Sequence, residues 1–157
     1  MTGQVVVREY VQSIHATPDT VFPLLCPVRE GDWLEGWSDH SRLVQSVSGV
    51  AERGCVFVTI HPGEPETVWV VTRHVPAEGI VEFCHVQPGV EVVTLEIAVT
   101  GAVGSSVAIR YTAVPLPGAD LARFEHRWAQ TAFDADLRWW EDSMNHYLAT
   151  GSMLRHH

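Results

Sequence analysis

Apolar and polar residues alternate along two segments in the second half of the chain, at positions 91–100 and 106–114. Alternation with a period of two is typical of a strand whose two sides face different surroundings. In both segments one side is almost entirely apolar, and it consists of Val93, Leu95, Ile97, Val99, Val107, Ile109, Tyr111 and Ala113. The pattern therefore predicts a sheet with one face turned toward a core.

Five further strands are predicted at positions 5–14, 42–46, 55–61, 67–74 and 80–86, where β-branched and aromatic residues concentrate. The connections between the later strands are short and rich in Gly and Pro, which predicts antiparallel neighbours. A hairpin centred on Ala77 and Glu78 places His74 opposite Val81 rather than opposite His85.

Helix signals precede and follow this run of strands. Thr17 and Pro18 predict a short helix over 18–25, and a second brief helix or structured loop is expected within 28–37. A long helix is predicted from 118 to 150, ended by Gly151. It carries two apolar stripes: Leu121, Phe124, Trp128, Ala132, Ala135 and Trp139 in one, and Phe133, Leu137, Trp140, Met144 and Leu148 in the other.

The order of these elements predicts an α+β fold in which a curved seven-stranded antiparallel sheet wraps around one long C-terminal helix. Two short helices follow the first strand. With 157 residues, the chain is expected to form a single domain over 1–157. A curved sheet around one helix rarely packs shut along its whole length, so a ligand cavity is expected between them.

The basic residues are all arginine, and the formal net charge is -9. Without lysine the chain forms no Schiff base with a carbonyl substrate and has no P-loop lysine. The acidic balance argues against nucleic acid and anionic lipid as partners. Neither a signal peptide nor an apolar run long enough to cross a membrane is recognised, which predicts a cytoplasmic protein without membrane insertion.

The histidines and cysteines give little support to a metal site. Cys26, Cys55 and Cys84 have apolar neighbours and form no CxxC pair, so they are interpreted as buried free thiols. The internal histidines are scattered without HExxH or HxH spacing, and no metal and no cofactor are predicted. His156 and His157 are set aside, because terminal histidines are typical of a purification tag.

Three segments carry a resemblance to a known superfamily. In 21–37, CPVRE is followed by Asp-Trp and Gly-Trp; TVWVV occupies 67–71; and NHYLATGSML occupies 145–154. These motifs are similar to those of a bacterial subgroup of START-like, or SRPBCC, proteins. The resemblance spans nearly the whole chain and implies the helix-grip fold. The superfamily holds lipid-transfer domains, pollen allergens and polyketide cyclases, and this subgroup supplies no established site residues.

The segment 28–37 is the first candidate for the cavity mouth. There Arg29 is predicted to bind a ligand carboxylate or enolate, and Trp33 and Trp37 to stack on an apolar or aromatic ligand. In the alternative interpretation, Arg29 pairs with a neighbouring acid and both tryptophans are structural anchors.

Tyr111 and His85 are the candidate polar groups inside the cavity, where they could polarise a carbonyl or shuttle a proton. In the alternative, each is satisfied by the backbone or by water within the core. The remaining predicted ligand-binding residues are apolar or aromatic: Trp69, Phe83, Leu95, Ile109 and Trp128.

The leading hypothesis is a protein that encloses a small hydrophobic or amphipathic molecule, lipid-like or polyketide-like, between sheet and helix. One alternative is a cofactor-free enzyme of the cyclase or aromatase type, and another is an interaction domain that presents Trp33 or Trp37 to a partner. The sequence leaves the oligomeric state open, with a homodimer among the options.

Overall fold

Seven antiparallel strands form one sheet in the order β1-β7-β6-β5-β4-β3-β2, as seen in a computed structural model that describes residues 4–156. The strands are β1 (Val6–Ile14), β2 (Ser41–Gln45), β3 (Val56–Thr59), β4 (Thr67–Val75), β5 (Ile80–Gln87), β6 (Glu91–Gly101) and β7 (Ser105–Pro115). The helices are α1 (Pro18–Val21), α2 (Glu30–Trp33), α3 (Trp37–His40), α4 (Leu121–Arg127) and α5 (Gln130–Thr150). The sequence expectation for His157 lies outside the described residues. The α+β architecture of a seven-stranded sheet and a long C-terminal helix is confirmed.

The strand faces follow the predicted alternation. Alternate residues are buried from Glu91 to Val99 in β6 and from Ser105 to Pro115 in β7, except that Tyr111 is half-buried, and the apolar ones belong to the core. The β4–β5 hairpin has the predicted register, with His74 opposite Val81 and His85 opposite Trp69. Gly79 closes this hairpin with φ +68°, and an added Cβ would collide with the carbonyl oxygen of Val99.

The segment after β1 is more broken than predicted. In place of one helix over 18–25, α1 ends at Val21 and continues as a 3-10 turn over Phe22–Leu24. Pro23 explains the change, because it has no N–H to donate to the carbonyl of residue 19. The region 28–37 contributes α2 and the start of α3, separated by Gly36 in a left-handed conformation with φ +83°.

The C-terminal helix is interrupted where a continuous helix over 118–150 was predicted. Trp128 ends α4, and Ala129 is extended with ψ 137° before α5 begins. The break changes the phase of the apolar face, so Phe124 and Trp128 are buried but Ala132 and Ala135 are exposed. Beyond the break, the buried side of α5 is the second predicted stripe: Phe133, Leu137, Trp140, Met144 and Leu148, of which Trp140 and Leu148 are half-buried.

The inner face of the sheet and the apolar side of α5 share one core. Along its length, α5 packs most extensively against the edge strand β1. None of the helices in the described part of the chain is both long and apolar enough to span a membrane.

Candidate functional site

A cavity with two adjoining lobes lies between the sheet and the C-terminal helices. The outer lobe has a volume of about 300 Å³ and the inner lobe about 120 Å³. Trp37, Trp69 and Tyr111 line both lobes, so these aromatic side chains form the boundary between them. The cavity therefore extends from the surface into the core, as the sequence predicted for this architecture.

The outer lobe is polar and meets the solvent. His61, Arg127 and Asp136 lie at its rim and are exposed. The other residues that line it come from the sheet, the β3–β4 loop, α3, α5 and the α4–α5 junction: Thr59, Glu64, Thr67, Trp69, His85, Gln87, Tyr111, Trp128, Phe133 and Leu137, together with Trp37. A ligand in this lobe would meet hydrogen-bonding groups as well as aromatic rings.

The inner lobe is apolar apart from one carboxyl group, that of Glu30. Its remaining lining residues are aliphatic or aromatic: Leu25, Leu34, Trp37, Phe57, Trp69, Phe83, Leu95, Ile97, Tyr111 and Trp140. No other described residue forms a hydrogen bond with the Glu30 carboxyl group, and burial raises its pKa to about 8. At neutral pH and in an empty cavity, Glu30 is consequently protonated in most molecules.

Two other titratable groups in the cavity lining, His85 and Tyr111, are neutral near pH 7. Burial, with a smaller effect from Arg127, lowers the pKa of His85 to about 3. Its ring lies 4.0 Å from that of Trp69, and Nδ1 has no partner among the described residues. Burial also raises the pKa of Tyr111, with the nearby Glu30 as the second cause. His85 and Tyr111 can thus donate or accept hydrogen bonds without carrying charge.

An ion pair between a buried carboxylate and an exposed arginine anchors the wall of the outer lobe. Glu91 is fully buried, and its Oε1 accepts a hydrogen bond from Trp128 Nε1 at 2.8 Å. Arg127 reaches its other oxygen, Oε2, at 3.3 Å. The carbonyl oxygen of Trp128 accepts a hydrogen bond from Arg8 Nε at 2.8 Å. These contacts fix the α4–α5 junction against β1 and β6.

Most of the predicted ligand-binding residues come together at this cavity. Those that line it are Trp37, Trp69, Phe83, His85, Leu95, Tyr111 and Trp128. Arg29, Trp33 and Ile109 line neither lobe. Arg29 Nε donates to Asp32 Oδ2 at 2.9 Å on the exposed side of α2. Ile109 lies in the core with 2% exposure.

Trp33 is a structural residue rather than a surface anchor. It is 0% exposed, donates from Nε1 to the carbonyl of Leu24 at 3.1 Å, and stacks on Trp140. The alternative in which Trp33 meets a protein partner is therefore wrong. Trp37 is half-buried, and its Nε1 donates to the carbonyl of Pro27 at 2.6 Å.

Glu30 is the principal residue that the sequence reasoning missed. A usable signal was present, because Glu30 lies three residues before Trp33 and four before Leu34, the spacing of one helix face. Arg29 and Asp32 share the opposite face. Reading 28–37 as a helix with one buried side would have placed the Glu30 carboxyl inside and the Arg29 guanidinium outside.

The outer face of the sheet has a shallow depression of about 260 Å³ that is less suited to ligand binding. Its charged side chains pair with each other across strands, Arg73 with Glu82 and Arg110 with Glu9, each at 3.2 Å. Among residues 4–156, no group of three or more His, Cys, Asp or Glu side chains is placed to hold a metal ion.

Known structures share this fold at low sequence identity. Norcoclaurine synthase from Thalictrum flavum aligns with a TM-score of 0.69 and 13% identity, over 95% of this chain and 89% of the synthase. Ara h 8.0201 aligns with a TM-score of 0.65 and 16% identity, over 94% of this chain and 99% of that protein.

DynU16, a protein of the dynemicin biosynthetic locus, aligns with a TM-score of 0.63 and 18% identity. The alignment covers 93% of this chain but only 48% of DynU16, so the chain spans about half of that protein. No protein-family model and no curated protein matches the sequence. These structures confirm the predicted helix-grip fold.

Proposed function

We propose that this protein binds a small hydrophobic or amphipathic molecule in the two-lobed cavity. The observation that carries the proposal is the cavity itself, which runs from a polar rim to an inner lobe lined by aromatic side chains. Burial of apolar ligand surface in such a space supplies affinity, and a few polar groups set the orientation.

Titration with a neutral aromatic probe, 1-naphthalenemethanol, tests this proposal, since Trp37, Trp69 and Trp140 line the cavity and report on binding through their fluorescence. Leu34→Trp fills the inner lobe and should weaken binding at least about tenfold, or about 1.4 kcal/mol. Leu121→Trp, on an exposed position of α4, is the matched control and should bind normally.

Native mass spectrometry of the purified protein complements the titration by detecting a molecule that co-purifies. Absence of binding by the folded wild-type protein, or equal binding by Leu34→Trp, would contradict the proposal. Circular dichroism of each variant shows whether the fold is retained.

A cofactor-free enzyme of the cyclase type is the second candidate. It is favoured by one observation, that Glu30 and Tyr111 line the same inner lobe and lie close enough for the Glu30 charge to raise the pKa of Tyr111. A protonated carboxyl beside a phenol can stabilise an enolate that develops on a ligand. Glu30→Gln and Tyr111→Phe should then abolish turnover while a neutral ligand still binds.

A further inference from the structure

The charges around the cavity do not balance. Two carboxylates near it are paired, Glu91 with Arg127 at 3.3 Å and Glu64 with Arg123 at 3.2 Å. Two others, those of Glu30 and Asp136, have neither an ion pair nor a hydrogen bond within residues 4–156. The sole Lys or Arg among the lining residues is Arg127, which Glu91 already engages. The described lining thus holds two acidic groups without a cationic partner, Asp136 at the rim and Glu30 inside, and Glu30 becomes negative only when it ionises.

The surroundings of Glu30 suit a positively charged group. Six aromatic residues line the same lobe: Trp37, Phe57, Trp69, Phe83, Tyr111 and Trp140. The faces of aromatic rings carry partial negative charge and attract cations, most strongly where water is excluded. A carboxylate enclosed by such rings provides both an ionic partner and a cation–π environment for an ammonium group.

We propose that the inner lobe binds the ammonium end of an amphipathic amine. This inference deepens the proposed function and rests on it. The Glu30 carboxylate accepts hydrogen bonds from the ammonium group, and the Tyr111 hydroxyl, in the same lobe, offers a further acceptor. The apolar body of the amine extends past Trp37 and Trp69 toward the outer lobe.

The release of a proton on binding distinguishes an amine ligand from a neutral carbonyl ligand. Glu30 must ionise to pair with an ammonium group, so amine binding releases one proton to solvent and strengthens as pH rises toward about 8, the pKa of free Glu30. A carbonyl ligand would instead accept a hydrogen bond from the protonated carboxyl and would bind more weakly above that pH. The other titratable or charged groups that line the cavity are His61, Glu64, His85, Tyr111, Arg127 and Asp136.

Two probes of equal size test the inference, 1-naphthylmethylamine and 1-naphthalenemethanol. Wild-type protein at pH 8 should bind the amine at least about tenfold more tightly than the alcohol. Glu30→Gln should remove this preference, so that the amine and the alcohol bind with affinities within about twofold of each other. Glu35→Gln removes a carboxylate of the same segment that bonds His156 instead of lining the cavity, and it should keep the preference.

Isothermal titration calorimetry in two buffers of different ionisation enthalpy adds a readout on the wild-type protein, with about one proton released per bound amine. Equal affinities for the two probes, or a preference that persists in Glu30→Gln, would overturn the inference while leaving cavity binding intact. Failure of both probes to bind would overturn the proposed function as well. Weaker amine binding from pH 6 to pH 8 would also overturn the inference.

Discussion

The β1 side and the cavity side of α5 differ in how nearby carboxylate and backbone groups are satisfied, although Gln12 Oε1 on the β1 side also has no partner among the described residues. On the β1 side, Glu141 Oε2 accepts the backbone N–H of Ser13 at 2.5 Å, and Oε1 accepts the hydroxyl of Tyr10 at 3.2 Å. Asn145 accepts the N–H of His15 at 2.8 Å and donates to the carbonyl of Ser13 at 3.0 Å. The helix thereby satisfies backbone groups of an edge strand that would otherwise be open to another chain.

On the cavity side, the carboxyl group of Glu30 has no such partner in the described part of the chain. Glu30 is half-buried, and its carboxyl group lines the cavity without a partner, an arrangement that lowers stability and so calls for a reason other than folding. The contrast indicates a division of roles. The contacts of Glu141 and Asn145 with β1, here called the β1 seam, hold α5 in place. On the opposite side of α5 the cavity is open, and the unpaired carboxyl group of Glu30 is available to a ligand.

The largest expected effect concerns the pH dependence that Glu30 imposes on stability. Its pKa is about 8 in the folded protein and near 4.5 when unfolded, so its contribution to stability is complete below about pH 4.5 and is lost as pH rises toward 8. Relative to Glu30→Gln, the wild-type free energy of unfolding should fall by about 3 kcal/mol between pH 5 and pH 8.

Urea denaturation at several pH values measures this difference. His85 acts in the opposite direction, because its lowered pKa costs stability as pH falls below about 6.5, the value for the unfolded chain. Because both proteins contain His85, its effect cancels when the free energies of unfolding of wild type and Glu30→Gln are subtracted. A difference that stays constant with pH would mean that Glu30 is solvated or paired, and the contrast between the two sides of α5 would be lost.

The second largest expected effect comes from removing contacts of the β1 seam. Glu141→Ala removes the acceptor for the Ser13 N–H and the Tyr10 hydroxyl, and should lower the free energy of unfolding by about 1.5 kcal/mol. Asp142→Ala, at the neighbouring exposed position, is the control and should change it by less than about 0.5 kcal/mol. Equal losses in the two variants would show that the seam contacts contribute nothing specific.

The parts of the fold that could be predicted are those in which local pattern and tertiary burial agree. The alternation in β6 and β7 identified the buried face, since each side chain direction follows from the pleat. The β4–β5 register followed from one turn, because Pro76 and Gly79 bound it. Five of the seven correctly predicted cavity residues lie on the sheet, where a side chain on the inner face lies against the helix; Trp37 and Trp128 were predicted from the segment 28–37 and from the helix pattern.

The helix break and the role of Glu30 could not be predicted in the same way. No Gly or Pro marks the junction of α4 and α5. Contacts distant in sequence hold the junction, from Arg8 to the Trp128 carbonyl and from Trp128 to Glu91. For Glu30, its charge favoured an exposed position although its spacing to Trp33 and Leu34 indicated a buried one, and the packing of α2 against α5 places the carboxyl inside.

The smallest expected effect concerns Arg29, which the sequence nominated as the group that binds an anionic ligand. Both partners of its ion pair with Asp32 are well exposed, at 40% and 50% of their side-chain surfaces, so Arg29→Ala should change stability by about 0.5 kcal/mol or less. Since Arg29 lines neither lobe, binding of 1-naphthoate should change by less than about twofold. Fluorescence titration of wild type and Arg29→Ala checks this. A tenfold loss of naphthoate binding in Arg29→Ala would show that Arg29 contributes to ligand binding. It would also argue against the acidic character inferred for the cavity, because an anion would then bind where an ammonium group is expected.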